Sequence, residues 1–114
     1  YQPEQKTAVA LRAANWIICK GPRRLDALTA PDLEANCTEM LLDNPDLILD
    51  LSDTVLLASA GLAVLAKITR LAHEKNGELR VVNCSEDVLR VIKMVRFDKV
   101  LSLYNNVDAA VSAG

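Results

Sequence analysis

Leu47-Ile48-Leu49-Asp50-Leu51-Ser52-Asp53-Thr54-Val55-Leu56-Leu57-Ala58-Ser59-Ala60-Gly61-Leu62 is the stretch whose reading decides the fold. Leu47, Leu49 and Leu51 alternate with Ile48 and Asp50, the period-two pattern of a strand buried mainly on one face. Beyond Gly61 the period changes. Leu62, Leu65, Ile68, Leu71 and Ala72 recur at helical spacing, with Lys67, Arg70, Glu74 and Lys75 on the opposite side. The pattern predicts a helix over 61–76, stopped at Asn76-Gly77. A buried strand feeding an amphipathic helix through a short apolar link is the repeating unit of layered α/β folds.

The same alternation extends in both directions. Upstream, residues 7–11 and 16–20 read as two strands of a hairpin with Arg12-Ala13-Ala14-Asn15 between them, followed by the breaker Gly21-Pro22. Thr29 before Ala30-Pro31-Asp32 predicts an N-cap, and the helix after it would bury Leu33, Cys37, Met40 and Leu41. Downstream, 79–82 reads as a strand. Ser85-Glu86-Asp87 starts a helix carrying Val88, Leu89, Ile92 and Val95. Residues 101–104 form a last strand and 107–113 a short closing helix. The expected order is ββαβαβαβα: an α/β fold whose small mixed sheet of about five strands is covered by about four helices.

Composition bounds the function. A chain of 114 residues with 51% hydrophobic content has material for one core, and the expectation is a single domain over residues 1–114. The formal net charge of -2, with both signs interspersed, offers no basic footprint for nucleic acid or an anionic membrane. The longest apolar runs, such as Val55-Leu56-Leu57-Ala58, fall far short of the roughly 20 residues of a spanning helix, so no direct membrane insertion is expected. The polar opening Tyr1-Gln2-Pro3-Glu4-Gln5-Lys6 lacks a secretory apolar core. Tyr1 is not an initiator methionine, which leaves open a longer parent chain. Cys19, Cys37 and Cys84 are odd in number and widely spaced, which fits buried thiols in a reducing, cytoplasmic setting better than a disulfide framework or zinc site.

Catalytic constellations are missing from the pattern. His73 is the single histidine, and beside Glu74 and Lys75 it reads as a solvated helix residue. No phosphate-binding or nucleophile-elbow glycine motif occurs, and no cofactor is expected. Asp26, Asp50 and Asp53 invite comparison with an acid pair or a magnesium site, but aspartates at strand ends are commonly turn formers. Ser59 is the position with two readings. As an N-cap it would accept a hydrogen bond from a first-turn amide. The same free amides and positive dipole end also suit a phosphate, which would add about -1.5 to -2 charge without unfolding the domain.

Several motifs in order resemble one family. Arg24-Leu25-Asp26-Ala27-Leu28-Thr29-Ala30, Leu49-Asp50-Leu51, Ala58-Ser59-Ala60-Gly61-Leu62, Asn76-Gly77-Glu78-Leu79 and Val88-Leu89-Arg90-Val91-Ile92 are similar to the motifs of STAS domains, and within them of bacterial anti-sigma factor antagonists. The resemblance runs from about Val9 to Ala110. It implies a non-catalytic binding module that switches partners with an anti-sigma factor or serine kinase, the kinase binding the nucleotide. It further implies that Ser59 is the phosphoacceptor and that Asp26, Ala58, Ser59, Ala60, Gly61 and Leu62 meet the partner.

The chain departs from that pattern at informative places. Ala58 and Ala60 replace the aspartate and second serine that flank the phosphoacceptor. Arg23 stands roughly where a glycine precedes Leu-Asp, and Arg96-Phe97 where Gly-Leu follows the third helix. Arg23 and Arg24 read as a partner-binding patch or as solvated loop residues. The alternative implied by the resemblance is a STAS subunit or domain regulating a membrane transport system, an ATPase or anion permease, with transporter subunits or other STAS proteins as partners.

Overall fold

The computed structural model describes residues 11–113. Its central sheet has five strands in the order β1-β2-β4-β6-β7: β1 Leu11–Ala13, β2 Trp16–Lys20, β4 Asp46–Asp50, β6 Glu78–Val82 and β7 Ser102–Tyr104. β1 pairs antiparallel with β2, and β2, β4, β6 and β7 run parallel. A separate parallel pair, β3 Arg24–Leu25 and β5 Leu56–Leu57, makes a two-stranded sheet. The helices are α1 Ala30–Asp43, α2 Ser59–Glu74, α3 Glu86–Met94 and α4 Val107–Ser112, with a 3-10 turn at Phe97–Lys99.

The hairpin expectation holds in kind. Its turn is tighter than the sequence suggests, because β1 runs through Ala13 and reverses at Ala14, whose φ is 55°. The part of the expected strand over 7–10 lies outside the described residues. The order of the remaining elements is as expected, apart from the short strands β3 and β5, which two residues of pattern each cannot announce.

One expectation is overturned in the central strand. Leu47, Ile48 and Leu49 are all fully buried, so β4 is covered on both faces. The cause is topology: a parallel strand between parallel neighbours receives helices on either side. The main core gathers Leu47, Leu49, Leu79 and Val81 of the sheet with Leu33, Cys37 and Leu41 of α1, Leu65 and Ile68 of α2, and Val88 and Ile92 of α3. On the opposite face Ile48, Val82 and Ala110 form a smaller core with Trp16, Ile18, Tyr104, Val107 and Val111 under α4.

The expected stripe of α3 is also shortened. Val95 is exposed, because α3 stops at Met94 and Arg96 turns the chain in a left-handed conformation with φ 65°. Met40 and Leu89 are half-buried rather than buried. Side-chain caps form where the sequence supplies them: Ser85 accepts from the Val88 amide, and Asn106 from the Ala109 amide at 2.8 Å. In the described residues no helix is long and apolar enough to cross a membrane.

Candidate partner-binding site

The small sheet brings the candidate residues together. β3 and β5 align Arg24 with Leu56 and Leu25 with Leu57, and the Ala58 amide then donates to the Leu25 carbonyl at 2.9 Å. Asp26 follows Leu25 directly and Ser59 follows Ala58, so both lie just past the carboxyl ends of two parallel strands that neighbour each other at the usual spacing of about 5 Å. Their alignment is fixed from below. Thr54, 1% exposed, donates its hydroxyl to the Pro22 carbonyl at 2.6 Å, and the Val55 amide donates to the Arg23 carbonyl at 2.8 Å. Thr54 is a positioning residue that no periodicity marks. It is the last of three consecutive polar residues, Ser52-Asp53-Thr54, and only its burial sets it apart from the other two.

Asp26 is held as a turn residue. Its Oδ1 accepts from the amides of Leu28 at 3.0 Å and Thr29 at 3.3 Å, and its Oδ2 lies 3.6 Å from Arg24 Nε. Partial desolvation pushes its pKa up, but the Leu28 and Thr29 amides and the Arg24 guanidinium outweigh this and leave it below the usual carboxylate value. Thr29 occupies the N-cap position of α1 without capping it by its side chain, since its backbone is already helical at φ -97° and ψ -22°. Its hydroxyl instead donates to the Arg24 carbonyl at 2.6 Å and accepts from the Asp26 amide at 3.1 Å.

The capping expectation for Ser59 is likewise corrected. Ala58, extended at φ -100° and ψ 174°, is the N-cap of α2, and its carbonyl accepts the first helical hydrogen bond from Leu62 at 3.0 Å. Ser59 is one residue further on, inside the helix and exposed to solvent. No side chain caps the helix, and its first turn holds no acidic residue. The first-turn amides of α2 therefore have no intrahelical acceptor, at the positive end of a helix of 16 residues.

The remaining candidates divide by exposure. Gly61 and Leu62 are buried beneath the helix start, and Ala60 is half-buried against the core. The exposed side chains of the segments that carry the site are instead Leu28, 87% exposed, with Val55, Leu56, Arg23 and Arg24.

A second polar cluster lies at the carboxyl ends of β2, β4 and β6. Asp50 Oδ1 accepts from the Ser52 amide at 2.9 Å and from Asn83 Nδ2 at 3.0 Å, while Lys20 pairs with Asp53 at 3.4 Å. Desolvation raises the Asp50 pKa, and Asn83, Ser52 and nearby Lys20 more than offset it, leaving a net depression. Asp26 and Asp50 thus serve their own turns, and among the described residues no group of three or more histidine, cysteine and acidic side chains is placed to hold a metal. His73 is exposed, Cys19 and Cys37 are buried, and burial pushes half-buried Cys84 up to about 11.

The sequence gives no warning of Arg80. It is 5% exposed beneath α4, with its guanidinium 4.6 Å from the Trp16 ring centroid and 5.1 Å from that of Tyr104. It pairs with Glu78 at 3.1 Å and donates to the Ala110 and Ala113 carbonyls at the end of α4.

The fold is shared with solved structures. An anti-sigma factor antagonist from Mycobacterium paratuberculosis superposes with a TM-score of 0.83 at 28% identity, covering 93% of this chain and 91% of that one. The anti-sigma factor antagonist SpoIIAA in its unphosphorylated form gives 0.73 at 12% identity, covering 90% and 92%. The murine anion transporter Slc26a9 matches 97% of this chain but 19% of its own, with a TM-score of 0.73 at 18% identity. No curated protein sequence matches the chain. The STAS domain family matches residues 12–110, and the chain belongs to that family.

Proposed function

We propose that this protein is a regulatory binding module of the anti-sigma factor antagonist kind, which engages an anti-sigma factor or serine kinase through the surface around Asp26 and Ser59 and is released by phosphorylation of Ser59. The observation that carries the reading is the placement of Ser59: an exposed hydroxyl on the uncapped first turn of α2, beside the Asp26 turn. A phosphate there meets free amides and the positive helix end, so the fold tolerates it, while the added charge and bulk alter the surface a partner would cover. Similarity to the mycobacterial antagonist supports the same reading. Gly61 and Leu62 contribute from below by seating the helix, and the contacts fall to the exposed neighbours.

The test compares wild type with Ser59→Asp as baits in lysate of the native organism, with retained proteins and the state of Ser59 identified by mass spectrometry. Retention of an anti-sigma kinase by wild type alone, together with phosphate on Ser59, is the expected result. Equal retention of that kinase by both baits removes the switch.

The second reading, a STAS component of a transport system, is favoured by Ala58 and Ala60. They leave Ser59 flanked in the chain by two side chains that cannot hydrogen-bond its hydroxyl. Recovery of transporter subunits by both baits, with Ser59 unmodified, selects it.

A further inference from the structure

Two surfaces remain outside the site just described, and they are complementary. On α1 the residues Asp32, Ala35, Glu39, Leu42 and Asp43 follow one another at helical spacing and are all exposed, with Leu42 72% accessible. The helix contains no lysine or arginine, and Glu34, off this face, pairs with Lys67 at 2.6 Å. This face is acidic around one large apolar side chain.

At the other surface the pattern is reversed. A shallow groove along α3 is lined by Glu86, Leu89, Arg90, Lys93 and Met94, with Met94 73% exposed. Arg90 is paired with Asp87 at 3.1 Å, whereas Lys93, Arg96 and Lys99 have no ion pair among the described residues. Val95 and Val100 add exposed apolar area at 45% and 50%. Arg96 holds φ 65°, a left-handed conformation that strains a residue with a Cβ and that a glycine adopts freely. That turn carries the Arg96 guanidinium past the end of α3, beyond Lys93.

We propose that the α3 groove and its cations form a docking site for the acidic face of α1 of a second copy of this chain. Leu42 of the second copy enters beside Leu89 and Met94. Asp43 of that copy meets the cations Lys93, Arg96 and Lys99. Each molecule carries both halves of the contact on different patches, so the association is head to tail and extends into chains or closes into rings rather than stopping at a two-fold dimer. Opposite charges around an apolar anchor set its register and make it sensitive to salt. It is independent of the state of Ser59.

Sedimentation velocity of the full chain tests this. The wild type is expected to form a concentration-dependent series of oligomers at concentrations up to about 1 mM, the affinity range of a weak interface. The series should appear in roughly 0.01 M salt, where the Debye length is about 30 Å, and disappear in roughly 1 M salt, where it is about 3 Å. Lys93→Glu and Asp43→Lys each weaken association by about tenfold or more, and Leu42→Ser does so without changing charge. All three positions are exposed, so circular dichroism should show an unchanged fold. Mixed in equal amounts, Lys93→Glu and Leu42→Ser retain one intact basic and one intact acidic face between them, and their altered faces set the new carboxylate of Lys93→Glu against Asp43. They should form a dimer that grows no further. A wild type that stays monomeric in low salt, or variants that associate as the wild type does, overturns the proposal.

Discussion

Gly61 lies against Leu25 so closely that a Cβ on it would stand 2.7 Å from the Leu25 carbonyl oxygen and 2.7 Å from its Cγ, with Leu57 Cδ1 at 2.8 Å. The first turn of α2 therefore rests directly on the backbone of the two-stranded sheet. This contact sets the height at which Ser59 stands beside Asp26. Gly61→Ala has no flexible neighbour to displace on the carbonyl side, so it should lower stability by about 1–3 kcal/mol. Urea denaturation monitored by circular dichroism checks this, and an unchanged midpoint would contradict the close packing.

Ala58 has the extended backbone of an N-cap but no side chain to fill the role. Ala58→Asp should accept from a first-turn amide and complement the helix dipole, raising stability by about 0.5–2 kcal/mol. Thermal unfolding at neutral pH should show the gain, which should shrink as acid protonates the new carboxyl group.

Removing the buried cation beneath α4 should act locally first. Arg80→Ala takes away the donors to Ala110 and Ala113 and leaves Glu78 and the Trp16 ring uncovered, at a cost of about 3 kcal/mol. Hydrogen exchange should show the amides of α4 losing protection well before those of β4, and Trp16 fluorescence should shift to the red. Equal loss everywhere would mean that α4 is not a separately held unit.

The depressed pKa of Asp50 ties stability to pH in one direction. Because the folded value lies below the unfolded one, the stabilisation is present above the unfolded aspartate value of about 3.9 and is lost as pH falls through the folded value. Asp50→Asn should therefore be less stable than wild type at pH 7. The gap should narrow below about pH 4, in paired denaturation curves across the acid range. A gap independent of pH would assign the effect to shape rather than charge.

The succession of elements and most of the core are legible in the chain before it folds. Period-two runs such as Trp16–Lys20 and period-3.6 runs such as the one in α2 are local signals, and local burial patterns survive folding. The caps at Ser85 and Asn106 are local as well. The resemblance carried by separate motifs named the family, and with it Ser59 and Asp26, without their geometry.

Tertiary structure alone decided the rest, because those features join residues far apart in the chain. β3 and β5 are strands only by virtue of each other, two residues pairing with two across an interval of about thirty. That pairing seats α2 so that Ala58, and not Ser59, is its N-cap. The covering of β4 on both faces follows from the parallel strands beside it, and Arg80 is buried because α4 returns to the sheet and offers its last carbonyls to an otherwise costly charge. Hydrophobic periodicity records how a segment meets the interior; which segments share that interior is fixed by chain topology and hydrogen-bond satisfaction at long range.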